Sequence, residues 1–347
     1  MDGFDPNSPA LAGSGIYGLP HSAEEARIVL IPVPWDATTS YRAGTARAPA
    51  AILEASRQVD LFDVETGRPY QAGIALLPIS PDVAAWNAEA RAAAEPIHEA
   101  GGPASPDLDD KLARVNALGE RLNAWVRDET ERWLARGKLV GVVGGDHAAP
   151  FGAIAAVAAR HPGLGILHVD AHADLREAYE GFVWSHASIM FNVLRRIPEV
   201  RIVQLGIRDL SDAERALIES EPGRLTTHFD AVLAARRFEG ETWAQQCARI
   251  VEALPKNVYV SFDIDGLDPA LCPNTGTPVP GGLTFQAATY LLGVVARSGR
   301  TIVGFDLCEV APGQDEWDAN VGARLIYKLA GFALLSAESG ERRVARP

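Results

Sequence analysis

Metal-binding side chains follow three short apolar segments of the chain. GGDHA follows LVGVV, DAHAD follows LGILHV, and DID follows VYVSF. Mixed imidazole and carboxylate groups suit borderline or hard divalent ions such as manganese, nickel, cobalt or zinc, and do not suit a thiolate-preferring ion. The candidate ligands are His147, Asp170, His172, Asp174, Asp263 and Asp265.

The number and spacing of these side chains indicate two metal ions. Residues at i, i+2 and i+4 of an extended segment point to the same side, so the polar side chains of DAHAD converge, and those of DID do the same from another strand. Six ligands are too many for one catalytic zinc and suit two bridged ions. An Asp after a strand is often a helix cap or turn former. Three clusters at three strand ends make that explanation improbable for the whole set.

Alternating strand-like and helix-like segments must position these side chains. The strand-like runs are apolar on both faces, as in a buried parallel sheet, where ligands bind beyond the carboxyl ends of the strands. The segment 109–136 has apolar residues at helical spacing and ends at Gly137. This alternation predicts an α/β fold: a single-domain, three-layer α/β/α structure with a mostly parallel central sheet. The runs are 27–33, 139–143, 164–169, 200–206, 258–262 and 301–307.

Composition along the chain predicts the extent of the domain. Residues 1–25 are rich in Gly, Pro and Ser and predict an extended N-terminal arm. The catalytic domain is expected over 26–338, with a C-terminal tail at 339–347. The segment 78–108 is heavy in Ala and Pro and predicts an insertion or a loop that joins two units of the fold.

The three ligand segments resemble those of a known enzyme family. GGDHA (144–148), DAHAD (170–174) and SFDIDGLDP (261–269) are similar in order and spacing to the motifs of the ureohydrolases, which include arginases and agmatinases. The resemblance runs from Val33 to Leu334. It implies an arginase-like fold, six metal ligands at the positions named above, and two divalent ions per chain, nickel or manganese. It also implies hydrolysis of a guanidino C–N bond to release urea plus an amine or ammonia.

The same resemblance implies three catalytic residues. His186 in SHASIM matches a proton-shuttling histidine, although Ala187 stands where a glycine is more usual. Glu309 in GFDLCEVAP matches the carboxylate that pairs with the guanidinium group, and Asp174 is implied to pass a proton to the leaving nitrogen. Asp146 fits a helix cap or an outer partner of a histidine better than a metal ligand.

The substrate is indicated by segments that flank the ligands. After DAHAD the chain reads LREAY (175–179), where arginases carry small polar residues, so arginine is disfavoured. CPNTGTPVPGGL (272–283) and EVAPGQDEWDANVGAR (309–324) resemble the branch of guanidine hydrolases and biguanide (metformin) hydrolases. The predicted substrate is a small guanidinium compound, guanidine or a biguanide such as metformin. The alternative is agmatine or another ω-guanidino compound.

Two functions of other classes are weighed against this prediction. A histone-deacetylase-like enzyme has a similar architecture but keeps one zinc, and would not need both ends of DAHAD together with DID. A non-catalytic partner subunit would keep the fold and lose ligands, whereas this chain retains all six.

Composition restricts the partners and the compartment. The net charge of −13 and the pI near 5.1 argue against nucleic-acid or anionic-membrane partners, which need clustered Lys and Arg. The three cysteines, Cys247, Cys272 and Cys308, have no disulfide-framework spacing, which predicts a cytoplasmic protein. The family resemblance implies a trimer or hexamer, alone or with a homologous subunit, and a small cationic guanidino substrate. The arm at 1–25 is the candidate contact between trimers.

Overall fold

Eight parallel strands form one sheet in this computed structural model, which describes the backbone of residues 4–344 and the side chains of residues 4–338. The sheet order is β2-β1-β3-β8-β7-β4-β5-β6, and every neighbouring pair is parallel. The strands are β1 (Ile28–Pro32), β2 (Ile74–Leu76), β3 (Leu139–Val143), β4 (Gly165–Val169), β5 (Arg201–Ile207), β6 (Leu225–Phe229), β7 (Asn257–Asp263) and β8 (Thr301–Cys308).

Helices cover both faces of the sheet. They are α1 (Ala48–Ser56), α2 (Pro81–Ala100), α3 (Pro106–Leu134), α4 (Phe151–Arg160), α5 (Ile189–Arg196), α6 (Asp212–Ser220), α7 (Asp230–Phe238), α8 (Trp243–Glu252), α9 (Phe285–Arg297) and α10 (Trp317–Val344). Helices α1, α8, α9 and α10 pack on one face, and α2, α3, α4 and α5 pack on the other. This arrangement confirms the predicted single-domain α/β/α fold.

The central strands are apolar because both of their faces are buried. In β7, Val258, Val260 and Phe262 pack toward one helical layer, while Tyr259 packs toward the other. A strand that is buried on both sides carries a continuous apolar run instead of an alternating pattern. The six predicted strands and the predicted helix at 109–136, which is α3, are present for this reason.

The sequence prediction missed the two edge strands. Strand β2 has three residues, and in β6 only Leu225 is buried. An edge strand pairs on one side and packs less of its surface, so it needs no long apolar run. Strand β2 is apolar but too short to be recognised as a strand, and β6 is too polar to differ in composition from a loop.

The predicted loop alternative for 78–108 is wrong, because α2 occupies most of this segment. Ser80 Oγ accepts a hydrogen bond from the Val83 amide, and Pro81 is in the first turn. Gly101, with φ 69°, ends the helix in the left-handed conformation that favours glycine. The many alanines give the helix little contrast between its faces, and Pro96 inside it obscured the pattern. That the segment is an insertion stays a prediction.

The terminal segments differ from the predicted arm and tail. The end of the predicted arm is part of the core, where Ile16, Tyr17 and Leu19 are buried. The Tyr17 hydroxyl donates to the carbonyl of Ala323 on α10 at 2.8 Å. Of the predicted tail at 339–347, the backbone up to Val344 belongs to α10, and the rest lies outside the described residues.

The structure also gives observations on membrane-spanning helices and on disulfide bonds. Within residues 4–344, no helix combines the length and apolar character that crossing a membrane requires. Cys247, Cys272 and Cys308 are buried and free, so none of them forms a disulfide.

Candidate metal centre

The candidate metal centre lies at the carboxyl ends of the four central strands. His147 follows β3, and the DAHAD segment at 170–174 follows β4. Asp263 ends β7 and precedes Asp265 by two positions, and Glu309 follows β8. These strands are neighbours in the order β3-β8-β7-β4. Segments that are far apart in the sequence therefore meet at one edge of the sheet, where parallel sheets bind ligands.

A close backbone approach at Gly145 packs two of these segments together. A Cβ added at Gly145 would lie 1.9 Å from the carbonyl oxygen of Trp35, so no other residue fits without a shift of the backbone. The amide of Asp146 donates to that carbonyl at 2.7 Å, and the amide of Glu309 donates to the Gly145 carbonyl at 2.8 Å. The glycines of GGDHA thus bring the loops after β3 and β8 into contact.

One group of ligand atoms surrounds the imidazole of His147. Its Nδ1 lies 3.1 Å from Oδ2 of Asp170, and 3.3 Å from Oδ2 of both Asp174 and Asp263. All four side chains are buried. Four ligand atoms that converge in this way fit a divalent cation.

The other ring nitrogen of His147 is held by a serine and an aspartate. Its Nε2 lies 2.9 Å from Oγ of Ser261, and the Ser261 hydroxyl donates to Oδ1 of Asp306 at 3.2 Å. Because the serine hydrogen is directed at Asp306, its oxygen accepts from Nε2. Outer partners of this kind fix the tautomer of a ligating histidine, and here they leave the Nδ1 lone pair facing the carboxylates.

A second group of ligand atoms lies next to the first and shares Asp170 with it. Nδ1 of His172 is 3.0 Å from Oδ2 of Asp265 and 3.5 Å from Oδ1 of Asp170. Oδ1 of Asp265 accepts from the Ala171 amide at 3.0 Å. The two oxygens of Asp170 therefore face different histidines, His147 and His172, which is the arrangement expected of a carboxylate between two adjacent metal positions.

The charges of the cluster require cations. Burial and the charge of Asp170 raise the pKa of Asp174 to about 7. Burial and the charges of Asp265 and Asp170 raise the pKa of Asp263 well above its usual range. Burial lowers the pKa of His147, but its carboxylate contacts outweigh that effect and raise it well above 6.5. Buried carboxylates this close are stable only with protons or metal ions between them, so the residues fit a two-metal centre.

A cavity of about 440 Å³ opens beside the second group of ligands. Two of the predicted catalytic residues, Asp174 and His186, line it together with His172. Nδ1 of His186 lies 3.4 Å from Oγ1 of Thr38. Burial and the nearby His172 lower the pKa of His186 to about 3, so its ring is neutral at ordinary pH. Other walls are formed by Tyr41, Arg42, Arg176, Tyr179, Thr277 and Pro278.

Glu309, the third predicted catalytic residue, is not among the residues that line this cavity and lies beside His147. Its Oε1 accepts from the His147 amide at 2.9 Å, and its Oε2 has no hydrogen-bond partner within the described residues. Burial and the charge of Asp146 raise the pKa of Glu309 well above its usual range. The carboxylate is therefore available to a cation that reaches this side of the centre.

Two other residues singled out from the sequence lie outside the ligand set. Asp146 accepts from the amide of Ala148 at 3.1 Å and from the hydroxyl of Thr38 at 3.3 Å, so it stabilises the turn after β3. Trp184 packs against Phe151, with ring centroids 4.9 Å apart, and does not line the cavity.

Four polar residues around the centre were missed by sequence reasoning. His168 lies 2.8 Å from Asp170, between Nε2 and Oδ2, and Gln204, Ser261 and Asp306 are buried nearby. Each is a lone polar residue inside an apolar strand segment. Buried polar groups need hydrogen-bond partners. A single polar residue within an apolar strand segment is therefore the sequence signal that could have identified these four residues.

The arrangement of six imidazole and carboxylate side chains at the strand ends of a parallel sheet is typical of hydrolases that bind two metal ions. Residues 26–331 match the family model described as Arginase family. The N(1)-aminopropylagmatine ureohydrolase of Thermus thermophilus is 34% identical over 90% of this chain and 92% of its own length. The agmatinase of Bacillus anthracis is 30% identical, with 86% and 88% of the two chains covered.

The fold is also that of a solved relative. The agmatine ureohydrolase of Thermoplasma volcanium has a TM-score of 0.72 and 23% identity, and the match covers 94% of this chain and 97% of the other. The chain belongs to the arginase family and is a metal-dependent ureohydrolase with a binuclear metal centre.

Proposed function

We propose that this enzyme hydrolyses an ω-guanidino amine, agmatine or N1-aminopropylagmatine, to urea and the corresponding amine. The observation that carries the proposal is the shared position of Asp170 between His147 and His172, in a centre that opens into a cavity of about 440 Å³. Such a cavity has room for a substrate much larger than bare guanidine. The names of relatives that are 34% and 30% identical support the same substrate class.

Metal binding is assigned to the two groups of ligand atoms. Imidazole and carboxylate ligands suit manganese or nickel, and the proposal includes either ion. When bound, two such ions lower the pKa of a water between them, which supplies a nucleophile at neutral pH. The assigned ligands are His147, Asp170, His172, Asp174, Asp263 and Asp265.

Three side chains of the protein carry the remaining steps. Glu309 pairs with the planar guanidinium cation through a charge-assisted hydrogen bond from its unpaired Oε2 and orients the carbon for attack. Asp174, which lines the cavity, takes the proton that the attacking water releases and hands it to the leaving nitrogen. His186 lines the same cavity, and we assign to its imidazole the passage of protons between the site and solvent.

Guanidine or a biguanide such as metformin is the second candidate substrate class. The segment 272–283, whose sequence resembles the guanidine and biguanide hydrolases, supplies Thr277, Pro278 and Val279 to the cavity wall. A change of substrate class is expected to act through such wall residues, because they line the cavity beside the metal ligands.

Urea release across a panel of guanidino compounds tests the proposal. The protein is loaded with Mn²⁺ or with Ni²⁺ and assayed with agmatine, N1-aminopropylagmatine, guanidine, metformin and arginine. The expected result is the highest kcat/KM with one of the first two compounds. A preference for guanidine or metformin would overturn the substrate class and favour the second candidate, and a preference for arginine would overturn both.

A further inference from the structure

A chain of hydrogen bonds leads from the edge of the sheet to the metal ligands. The Thr227 hydroxyl on β6 donates to Oε1 of Gln204 on β5 at 2.8 Å. Nε2 of Gln204 lies 3.1 Å from Nδ1 of His168 on β4, and Nε2 of His168 lies 2.8 Å from Oδ2 of Asp170. Gln204, His168 and Asp170 are fully buried. The chain therefore crosses three neighbouring strands without contact with solvent beyond Thr227.

The direction of every bond in this chain is fixed by one carbonyl group. Nε2 of Gln204 also lies 2.7 Å from the carbonyl oxygen of Ala173, which can only accept. The amide group of Gln204 must therefore present its nitrogen to Ala173, and the same nitrogen presents its second hydrogen to Nδ1 of His168. Because Nδ1 accepts, the ring proton is on Nε2 and is donated to Asp170.

This tautomer excludes His168 as a metal ligand and makes it a donor to one. Gln204 also donates a hydrogen bond to the backbone carbonyl of Ala173. The next residue, Asp174, has a φ of 54°, a backbone conformation that residues other than glycine rarely adopt. The side chain of Gln204 is thus connected to both ends of DAHAD. It reaches Asp170 through His168, and it binds the carbonyl of Ala173, the residue before Asp174.

We propose that Gln204 is a positioning residue of the metal centre, which orients Asp170 through the Nε2–H tautomer of His168 and holds the backbone that presents Asp174. This inference rests on the proposed ligand roles of Asp170 and Asp174. Outer partners that orient ligands typically change metal affinity by 10- to 100-fold when they are lost. If Gln204 only provided hydrogen bonds to buried polar groups, its loss would lower stability without a specific effect on metal affinity. A change in metal affinity therefore distinguishes the positioning role.

A second buried glutamine provides a matched control. Gln246 on α8 is fully buried, and its Nε2 donates to the carbonyl of Leu233 at 2.9 Å. It makes no contact with the metal ligands. Gln246→Met and Gln204→Met each replace a buried amide with an apolar side chain of similar length, so both should lower the melting temperature of the metal-free protein.

Binding of Mn²⁺ distinguishes the two variants. Free Mn²⁺ is measured by electron paramagnetic resonance in titrations of parent, Gln204→Met and Gln246→Met, all first freed of metal. Gln204→Met should bind Mn²⁺ about 10- to 100-fold more weakly than parent, and Gln246→Met should bind within about threefold of parent. Equal Mn²⁺ affinity in the two variants would overturn the positioning role.

Two substitutions of His168 test the hydrogen-bond chain from Gln204 to Asp170 independently. In His168→Gln the side-chain amide can still donate to Asp170, whereas His168→Phe keeps a ring and removes the donor. His168→Gln should keep its Mn²⁺ affinity within a few-fold of parent. In His168→Phe the Mn²⁺ affinity should fall by about as much as in Gln204→Met. Loss of affinity to the same extent in both variants would show that the donor is not what matters.

The tautomer of His168 can be measured directly in the parent protein. The protein is labelled with 15N-histidine and loaded with diamagnetic Zn²⁺, and long-range 1H–15N correlations report which ring nitrogen of each histidine carries the proton. The proposal requires a protonated Nε2 and an unprotonated Nδ1 for His168, whose signals are assigned by their absence in His168→Gln. A protonated Nδ1 would reverse the relay and overturn the proposal.

A ligand variant separates this inference from the proposed function. If Asp170→Ala keeps both Mn²⁺ ions, the ligand assignment itself is wrong, and Gln204 has no metal-positioning role to play. If Asp170→Ala loses Mn²⁺ while Gln204→Met binds as parent does, the ligand assignment stands and only the inference about Gln204 fails.

Discussion

Two of the residues assigned to the chemistry have unusual backbone conformations. Asp174 has a φ of 54° and Glu309 a φ of 61°, in the left-handed region. Such a conformation costs on the order of 1 to 3 kcal/mol and persists only where the surroundings enforce it. For Glu309 the surroundings are two hydrogen bonds, from its amide to Gly145 and from the His147 amide to its carboxylate. The strain directs the carboxylate toward the centre instead of along the strand.

Glu309→Gln is predicted to abolish most activity and to leave metal binding intact. The amide oxygen can still accept from the His147 amide, so the local structure is kept, but the negative charge that pairs with the guanidinium is lost. Loss of a buried charged partner costs roughly 3 to 5 kcal/mol, or about two to four decades in kcat/KM when the interaction persists in the transition state. Urea release and metal content are the measurements.

The exposed Glu316 provides the control for this substitution. Glu316→Gln removes the same charge from the molecule at a site outside the cavity, and should leave kcat/KM within about twofold of parent. If Glu309→Gln were within a few-fold of parent on its best substrate, the anchor role of Glu309 would be wrong.

Asp263→Asn is predicted to have opposite effects on the metal-free and metal-loaded protein. The neighbouring Asp265 and Asp170 raise the pKa of Asp263, so removal of its charge relieves repulsion when no metal is bound. The metal-free variant should melt at a higher temperature than metal-free parent, while added Mn²⁺ should stabilise it less, since stabilisation by a ligand follows its affinity. Calorimetry with and without chelator, and elemental analysis, measure both effects.

Asp268→Asn is the matched control, because Asp268 is exposed and caps the short turn after β7. It should show the parent response to Mn²⁺. Full metal content in Asp263→Asn, at two ions per chain, would contradict the ligand assignment.

The candidate ligands can be located from sequence, whereas the residues that contact them from outside cannot. Asp170 and Asp263 stand directly after apolar runs, and His147 follows another run by four positions, so local sequence is enough to single them out. The role of Gln204 depends on which strands flank β5 and on which carbonyl fixes its amide. That information lies in the sheet order and not in the residues beside Gln204 in the chain.

At the scale of elements, the antiparallel pair α2–α3 fastens two loops that line the cavity. Asn87 and Arg91 on α2 bind the loop after β1, where Asn87 exchanges hydrogen bonds with Asp36. Asn116 on α3 accepts from the Val183 amide at 2.9 Å and donates to the Gly181 carbonyl. The segment for which sequence reasoning predicted a loop is therefore a helix that supports the cavity wall.

Asn116→Ala is predicted to impair substrate turnover without loss of metal. The loop held by Asn116 continues into Ser185 and His186, so its release misplaces the histidine that lines the cavity. A buried group left without its partner costs about 1 to 3 kcal/mol, which corresponds to roughly 10-fold or more in the population of the ordered loop. Steady-state kinetics should show a lower kcat/KM, with Mn²⁺ stoichiometry unchanged.

Asn123→Ala on the same helix serves as the comparison. Asn123 is buried, and within the described residues its Oδ1 has no hydrogen-bond partner, so its removal breaks no hydrogen bond of that atom. It should leave kcat/KM close to parent. Parent kinetics in Asn116→Ala would mean that the α2–α3 pair supports stability alone.

For the whole molecule, the strands were predictable and their order was not. The apolar runs locate β3, β4, β7 and β8, because burial on both faces requires such composition. Nothing in the runs indicates that β8, the last strand of the chain, lies between β3 and β7. Helix packing on both faces decides that order, and it brings Glu309 next to His147 although 162 positions separate them.

The last prediction concerns the N-terminal segment and assembly. We propose that the protein forms trimers that pair into hexamers, and that residues 1–13, which include the exposed Leu11, contribute to that pairing. Deletion of residues 1–13 leaves Ile16, Tyr17 and Leu19 in the core but removes Phe4, which packs against Tyr70, so the melting temperature should fall modestly while light scattering reports a trimer. Tyr17→Ala should do the reverse, with a loss of about 3 to 5 kcal/mol in stability from the cavity it creates and from the lost bond to Ala323. If the deletion variant remained hexameric, the proposed role of residues 1–13 in pairing the trimers would be wrong.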